Sequence, residues 1–184
     1  MRATSSPQRF IIMLFVSSPC VFSHAILSLY HSRFFTMQNV YHIALKELGV
    51  QERAGADHNP RILEYHQATS LKATSDEVPW CAAFVNWCLR EAGFQGTNSA
   101  RARSFLAWGE SVAINDIKPG DIVVFSRGNN PILGHVAFFH SWKNKRTGIM
   151  TVCGGNQSNS VSLSRYSLEN LIGIRRATTK PFQA

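Results

Sequence analysis

The chain has 184 residues, which is enough for one domain with a sizeable core and too short for two domains of ordinary size. Its 19 basic and 11 acidic side chains give a formal charge of +8, which favours an anionic partner: nucleic acid, an anionic membrane or the carboxylates and phosphates of a bacterial wall. The basic residues are scattered and no nucleic-acid-binding motif accompanies them, so no nucleic-acid partner is predicted.

Residues 1–36 differ in composition from the rest of the chain, because they lack acidic residues and contain a largely apolar run from Phe10 to Tyr30. Two arginines ahead of this run and small residues near its end predict a secretory signal peptide. Met37 leaves a second interpretation open, in which residues 1–36 are upstream sequence from a misplaced start. We expect a periplasmic or secreted domain in the first case, and a cytoplasmic one until its release or delivery in the second. Neither predicts stable membrane insertion of the mature domain, residues 37–184.

Three stretches have the apolar spacing and the terminal residues of helices: 38–48, 60–67 and 78–92. A fourth helix is predicted from the Thr97-Asn98-Ser99 cap to Trp108. Beyond Lys118-Pro119-Gly120-Asp121, a turn signature, the pattern changes to strands, predicted at 122–125, 135–140, 149–153, 161–163 and 172–176. Helices followed by an antiparallel sheet predict the α+β class.

Cys81 lies in the opening turn of the third predicted helix, for which Ser75 or Asp76 is the expected N-cap. Pro79 fits this placement, because proline is tolerated only in the first turn of a helix. The free amides and the helix dipole at such a position favour thiolate over thiol, so the pKa of the cysteine is expected to fall below the free value of about 8.5. The alternative is that Cys81 is a small buried apolar residue, as most cysteines are.

His135 begins a predicted strand after Gly134, about fifty residues beyond Cys81. A cysteine at a helix start followed by a histidine on a strand is the chain order of papain-like thiol hydrolases. Asn156 and Gln157 follow a glycine pair at the end of another strand, and either amide is suited to orient the imidazole. Only one of them can face His135 if the strand is regular there, because successive side chains point to opposite faces.

Taken together, these segments resemble the cell-wall peptidases and amidases of the NlpC and CHAP type, particularly their compact phage-associated and bacterial branch. The resemblance extends from about residue 37 to about residue 176 and is carried by four motifs in order: Pro79-Trp80-Cys81-Ala82-Ala83-Phe84-Val85, Lys118-Pro119-Gly120-Asp121-Ile122-Val123-Val124-Phe125, Gly134-His135-Val136 and Gly154-Gly155-Asn156-Gln157-Ser158-Asn159. It implies a papain-like α+β domain whose N-terminal helices pack on a C-terminal antiparallel sheet. It also implies hydrolysis of an amide bond in peptidoglycan without a metal or an organic cofactor.

The resemblance implies Cys81 as nucleophile, His135 as base and Asn156 as the residue that orients the ring, with Gln157 as its rival. Trp80 and Gln157 are expected to contact the substrate. The implied partner is the stem peptide of the wall, cut either as an N-acetylmuramoyl-L-alanine amidase or as an endopeptidase. A monomer is expected, with an immunity protein as further partner if the chain is a secreted effector.

Three other functions compete with this hypothesis. A zinc site would draw on Cys81, Cys88, Cys153 and His135, but no Cys-x-x-Cys or His-x-x-x-His spacing supports it, so no metal is predicted. An acyltransferase or deamidase on the same fold would keep Cys81 and His135 and act on another substrate. A catalytically silent wall-binding module would keep the fold and would need neither residue.

Overall fold

The computed structural model describes residues 37–55 and 57–178, so the predicted signal peptide lies outside the described residues. Three helices come first: α1 (Met37–Lys46), α2 (Pro60–His66) and α3 (Cys81–Glu91). Six strands follow: β1 (Glu110–Ser111), β2 (Ile122–Ser126), β3 (Gly134–Asn144), β4 (Ile149–Gln157), β5 (Ser160–Ser167) and β6 (Leu171–Arg176). This order confirms the predicted α+β class.

The six strands form one sheet in the order β1-β6-β2-β3-β4-β5, and every neighbouring pair is antiparallel. Strand β3 lies near the centre, with Phe125 of β2 opposite His135 and Cys153 of β4 opposite Phe138. The period-2 alternation of side chains sorts the central strands into two apolar faces. Val124, Val136 and Phe138 belong to the cluster that includes α3, whereas Val123, Phe125 and Ala137 belong to a second cluster on the other face.

Helix α3 is the centre of the larger cluster, because all nine residues from Cys81 to Leu89 are buried. Helices α1 and α2 pack against it and supply further apolar side chains, among them Val40, Ile62 and Tyr65. Burying apolar area at roughly 25 cal/mol per Å² makes this cluster the main stabilising contribution of the fold. The first residue of α3 is therefore held in place from the sheet side and from the helix side.

The predicted caps are right for α2 and wrong for α3. The Asn59 side chain accepts a hydrogen bond from the Arg61 amide at 3.0 Å, and Pro60 is the first helical residue, as the sequence predicts. Helix α3 begins at Cys81 rather than near residue 78, and its N-cap, Trp80, makes no side-chain capping hydrogen bond.

Asp76 has a different role from the predicted cap. Its buried carboxylate accepts hydrogen bonds from the amides of Arg53 and Asn59 at 3.0 and 2.8 Å and from His58 Nδ1 at 3.0 Å. These bonds outweigh the burial of the carboxylate, so the pKa of Asp76 is lowered. Asp76 thus ties the α1–α2 connection to the segment that leads into α3.

The predicted helix between Ser99 and Trp108 is a short 3-10 helix, Ala102–Ala107, so this prediction is corrected. A local side-chain bond contributes to the difference, because Ser104 Oγ donates to the Arg101 carbonyl at 2.8 Å and to Thr97 Oγ1 at 2.8 Å. Such bonds compete with the regular helical pattern. The 3-10 helix packs on β2, β3 and β6 near the start of β3.

Strand β4 has a bulge at its end, where its register against β5 shifts between Gly154 and Gln157. Within the bulge, Asn156 has a left-handed backbone with φ of 56°. Gly155 approaches Trp80 so closely that an added Cβ would lie 2.4 Å from a carbon of the indole ring. The bulge therefore depends on a long-range contact as well as on its own sequence.

The three described cysteines, Cys81, Cys88 and Cys153, are free thiols. Over residues 37–55 and 57–178, no helix has both the length and the apolar character needed to cross a bilayer. The same residues include no cluster of three or more His, Cys, Asp or Glu side chains arranged to hold a metal ion.

Replacing Gly155 with alanine should destabilise the protein by about 1–3 kcal/mol, because the new methyl group overpacks against Trp80. The loss would be measured as the free energy of unfolding in urea. A second substitution, Trp80→Phe, removes part of the indole that meets the new methyl group. The double variant should therefore lose less than the sum of the two single losses. If the two losses of unfolding free energy simply added in the double variant, the result would contradict the contact between Gly155 and Trp80.

Candidate active site

Cys81 is the first residue of α3 and is 8% exposed. Backbone amides of Val136 and Ala82 donate towards its sulfur and favour thiolate, and the nearby charge of Arg127 acts in the same direction. Burial is the larger effect, so the pKa of the Cys81 thiol is raised above its ordinary value. The sequence-based expectation of a lowered pKa is therefore wrong for this conformation, because it counted the helix amides without the desolvation of the sulfur.

His135 is the second residue of β3 and is 2% exposed. Its Nε2 lies 3.1 Å from the side-chain oxygen of Gln157. Gln157 has a fixed orientation, because its side-chain nitrogen donates to the Ser162 carbonyl at 2.6 Å, and a carbonyl can only accept. The oxygen of Gln157 therefore faces the imidazole, and His135 must carry its proton on Nε2.

This tautomer leaves His135 Nδ1 with a free lone pair. Nδ1 is buried and has no hydrogen-bond partner among the described residues. The sulfur of Cys81 interacts with the amide of Val136, which follows His135 in the chain. No described hydrogen bond joins the thiol to Nδ1 in this conformation. Catalytic hydrogen bonds are often long before substrate binds and tighten afterwards.

Aromatic rings hold the imidazole in its plane. Tyr166 of β5 stacks on His135 with the ring centroids 5.1 Å apart and an interplanar angle of 4°. Phe125 in turn stacks on Tyr166, with centroids 4.6 Å apart. Tyr166 also interacts electrostatically with Cys81, so its ring lies near both groups of the proposed site. The ring of His135 is thus fixed by a hydrogen bond at one edge and by stacking on one face.

Burial lowers the pKa of His135 to about 4, and the positive charge of Arg127 acts in the same direction. The hydrogen bond with Gln157 opposes both effects and is outweighed. With a raised pKa on Cys81 and a lowered one on His135, both groups are neutral near pH 7. The resting site is therefore a thiol beside a free base rather than an ion pair.

The structure brings Gln157, and not Asn156, to His135. The bulge in β4 breaks the alternation on which the sequence argument depended, and Gln157 is 4% exposed with its amide bonded to His135 and Ser162. No described hydrogen bond joins Asn156 to the imidazole. The expected position of Asn156 against the ring is therefore corrected in favour of Gln157. The expected substrate contact of Gln157 is also corrected, because its side chain lies behind the imidazole.

Trp80 is likewise not a wall of the cleft in this structure. It is 0% exposed, and its indole nitrogen donates to Glu52 at 2.7 Å. Its ring packs near Tyr65 and Phe84, with centroids 5.8 and 6.5 Å away. A fully buried indole cannot touch a substrate, so the predicted contact is corrected and Trp80 is a core residue that positions the start of α3.

Sequence reasoning missed three residues of the site: Tyr166, Ser162 and Arg127. Tyr166 and Ser162 reach the site through the β4–β5 pairing, which no short motif indicates. Arg127 was only weakly indicated by the sequence, because it follows the predicted strand that ends at Phe125.

An open cavity of about 630 Å³ adjoins the approach to α3, with Leu71, Pro79 and Arg101 among its lining residues.

The stability of the folded protein depends on pH through His135, whose pKa is lowered from 6.5 to about 4. In the unfolded chain the ring gains a proton below about pH 6.5, whereas the folded ring stays neutral to about pH 4. The neutral buried ring therefore contributes stability that is complete above pH 6.5 and is lost as the pH falls towards 4. We expect an NMR titration of the folded protein to show His135 changing charge near pH 4; a midpoint near 6.5 would contradict this burial.

Replacing Gln157 with alanine removes the acceptor that fixes the Nε2–H tautomer. We expect ¹⁵N NMR of the imidazole to show mixed tautomers, and any hydrolysis that uses His135 as base to slow about 10- to 100-fold. The matched control is Asn156→Gly, which removes the neighbouring amide and still tolerates the left-handed backbone. An equal loss of hydrolysis in the control would contradict the assignment of Gln157.

Residues 73–156 match the family model described as the CHAP domain. The matched range includes Cys81, His135 and Asn156 and ends one residue before Gln157. A search of curated protein sequences found no significant match.

Several solved structures are similar to this chain. The P60 domain of an antigen from Mycobacterium avium subspecies paratuberculosis matches with a TM-score of 0.50 and 14% identity, over 79% of this chain and 96% of that one. A hypothetical invasion protein of Mycobacterium tuberculosis matches with a TM-score of 0.50 and 14% identity, over 80% and 64%. An NLP/P60-family protein from Staphylococcus aureus, described as similar to lipoprotein, gives a TM-score of 0.46 and 18% identity, over 77% and 41%.

The matched region is thus only 41% of the Staphylococcus aureus protein and 64% of the Mycobacterium tuberculosis protein. At 14% identity, the two mycobacterial structures show a shared fold and carry no statement about activity. Residues 73–156 thus resemble the CHAP domain, and the chain shares the fold of the mycobacterial P60 domain.

Proposed function

We propose that this protein is a cysteine peptidase or amidase that hydrolyses an amide bond in the stem peptide of peptidoglycan. One observation carries the proposal: Gln157 accepts a hydrogen bond from Nε2 of His135 and leaves Nδ1 with a free lone pair, while the amide of Val136, next in the chain, donates towards the sulfur of Cys81. A base next to a thiol is the minimum requirement of thiol hydrolysis. The CHAP match and the basic character of the chain support the bacterial wall as the source of substrate.

The first half of the reaction transfers the acyl group to Cys81. The thiol rotates towards His135, its proton moves to Nδ1, and the sulfur attacks the carbonyl carbon of the scissile amide. The backbone amide of Cys81 and that of Val136, which donates towards the sulfur, are the candidate donors to the oxyanion. The C–N bond then breaks, the leaving amine takes the proton from Nδ1, and a thioester remains on Cys81.

The second half releases the acyl group as a carboxylic acid. Nδ1 of His135 accepts a proton from water, and the oxygen of that water attacks the thioester carbon. The C–S bond breaks and the sulfur regains its proton from the imidazolium. Gln157 keeps Nε2 occupied throughout, so both proton transfers use the same nitrogen. It acts through His135 and is a positioning residue.

A neutral resting pair suits this sequence of proton transfers. The imidazole is a free base near pH 7, so it can accept the thiol proton when the substrate arrives. Substrate binding would also exclude water from the site, which strengthens the interaction between the thiolate and imidazolium formed by the transfer. Expulsion of water and the amides around the sulfur would together offset the burial that disfavours thiolate in the resting state.

Two alternatives remain. An acyltransferase or deamidase would use the same first half-reaction with another acceptor or substrate. A wall-binding module without activity is favoured by one observation, because the thiol and Nδ1 of His135 are not hydrogen-bonded in this conformation.

The proposed hydrolase would have to reach the wall, either by secretion or by release from a cell.

The test is digestion of purified peptidoglycan by the full chain, with the released fragments identified by mass spectrometry. Replacing Cys81 with alanine should reduce hydrolysis by about 10³-fold or more, because no other group can form the thioester. The matched control is Cys88→Ala, the same substitution at a buried thiol seven residues further along α3. It should hydrolyse the wall at a rate close to that of the parent.

The masses of the fragments would name the bond that is cut. Equal hydrolysis by parent and Cys81→Ala would overturn the mechanism. If the parent releases nothing under reducing conditions but sediments with the wall, as Cys81→Ala does, the result supports the binding module instead. A parent that neither cleaves nor binds the wall overturns the wall as target and favours acyl transfer or deamidation elsewhere.

A further inference from the structure

Arg127 lies beside the reacting groups. Its chain neighbour Ser126 pairs with Gly134 and Phe125 pairs with His135, so Arg127 comes one residue after the paired part of β2. By alternation it follows Phe125 on the face that carries His135, at the diagonal distance of roughly 7–8 Å between neighbouring strands. Its charge acts on Cys81, His135 and Tyr166 alike. The guanidinium is exposed to solvent at this position.

Arg127 is one of the described arginines whose side chain has no partner, and its position beside Cys81 and His135 sets it apart from the others. Arg61, Arg90 and Arg176 form ion pairs with carboxylates, and Arg103 donates to two backbone carbonyls. Within residues 37–55 and 57–178, Arg127 has neither an ion pair nor a hydrogen bond. Its charge also makes the imidazole of His135 harder to protonate, which works against the base. An unpaired cation at this place has no evident role in stabilising the fold.

The loop that begins with Arg127 is held in place. Arg103 Nε donates to the Leu133 carbonyl at 2.7 Å, and its Nη2 donates to the Asn130 carbonyl at 3.4 Å. The Asn130 side chain accepts from the Ile132 amide at 2.8 Å, which closes a turn inside the loop. Two large apolar side chains of this loop face solvent, Ile132 at 65% and Leu133 at 50% exposure. The loop thus presents a cation and an apolar surface at the edge of the site.

We propose that Arg127 binds a free carboxylate on the substrate residue that flanks the scissile amide. The protein would thereby select peptides with an anionic group next to the bond over the same peptides with that group amidated. A guanidinium suits this task, because its planar donors match both oxygens of a carboxylate. This inference rests on the proposed function and names a substrate class for it.

Two carboxylates of a stem peptide have the required chemistry. One is the α-carboxylate of a glutamate linked through its side chain, and the other is the carboxyl terminus of the peptide. Three synthetic peptides separate them: one with both groups free, one amidated only at the glutamate, and one amidated only at the terminus. The amidated peptide that loses affinity names the group that Arg127 binds.

Binding of these peptides would be measured by calorimetry on the full chain carrying Cys81→Ala, so that no hydrolysis occurs. We expect the free peptide to bind about 10- to 100-fold more tightly than one amidated peptide, the range for a charge-assisted hydrogen bond. Adding Arg127→Ala should remove this difference, and Arg127→Lys should restore part of it. Arg146→Ala, at an exposed arginine in the turn between β3 and β4, is the control and should leave the difference intact.

Three results would overturn the proposal: no binding of any peptide, equal binding of all three peptides, or an equal loss for all three with Arg127→Ala. An equal loss of affinity for all three peptides with Arg127→Ala would mean that Arg127 acts on the site through its charge alone. Kinetics of the chain with Cys81 intact separate this proposal from the proposed function. Discrimination in binding without hydrolysis supports the role of Arg127 and contradicts the peptidase. Hydrolysis at equal kcat/KM for all three peptides supports the peptidase and contradicts the role of Arg127.

Discussion

The hydrogen bond from the Gln157 side chain to the Ser162 carbonyl determines the chemistry that this site can perform. It orients the amide, the amide fixes the proton on Nε2 of His135, and the lone pair on Nδ1 stays free. Both partners belong to strands β4 and β5, so the chemical state of an imidazole on β3 depends on the pairing of two other strands.

Burial is the second constraint, and it acts on both reacting groups in opposite directions. It raises the pKa of the thiol and lowers that of the imidazole, so the pair is neutral at rest and charge appears only with the proton transfer. The helix-start amides at Cys81 partly offset this effect and do not reverse it. A fully solvated pair would be easier to ionise but would compete with water for every hydrogen bond in the reaction.

The α+β class, the caps of α2, the placement of Cys81 at a helix start and that of His135 at a strand start were predictable, because each follows from local spacing and terminal residues. The residue that contacts the imidazole was not, because the choice between Asn156 and Gln157 depends on the bulge in β4, where Gly155 packs on the distant Trp80. The burial of Trp80 and the tethering role of Asp76 have the same origin: distant partners, which no spacing along the chain indicates.

The contact between Gly155 and Trp80 has a consequence for how chains of this kind can diverge. Because Gly155 lies too close to the indole ring of Trp80 for an added methyl group, the two positions are expected to vary together: a larger residue at 155 requires a smaller ring at 80. A substitution by a larger residue at one position alone would displace the bulge and, with it, the amide of Gln157. Covariation between these distant positions in an alignment of relatives would therefore trace the packing beside the bulge that carries Gln157.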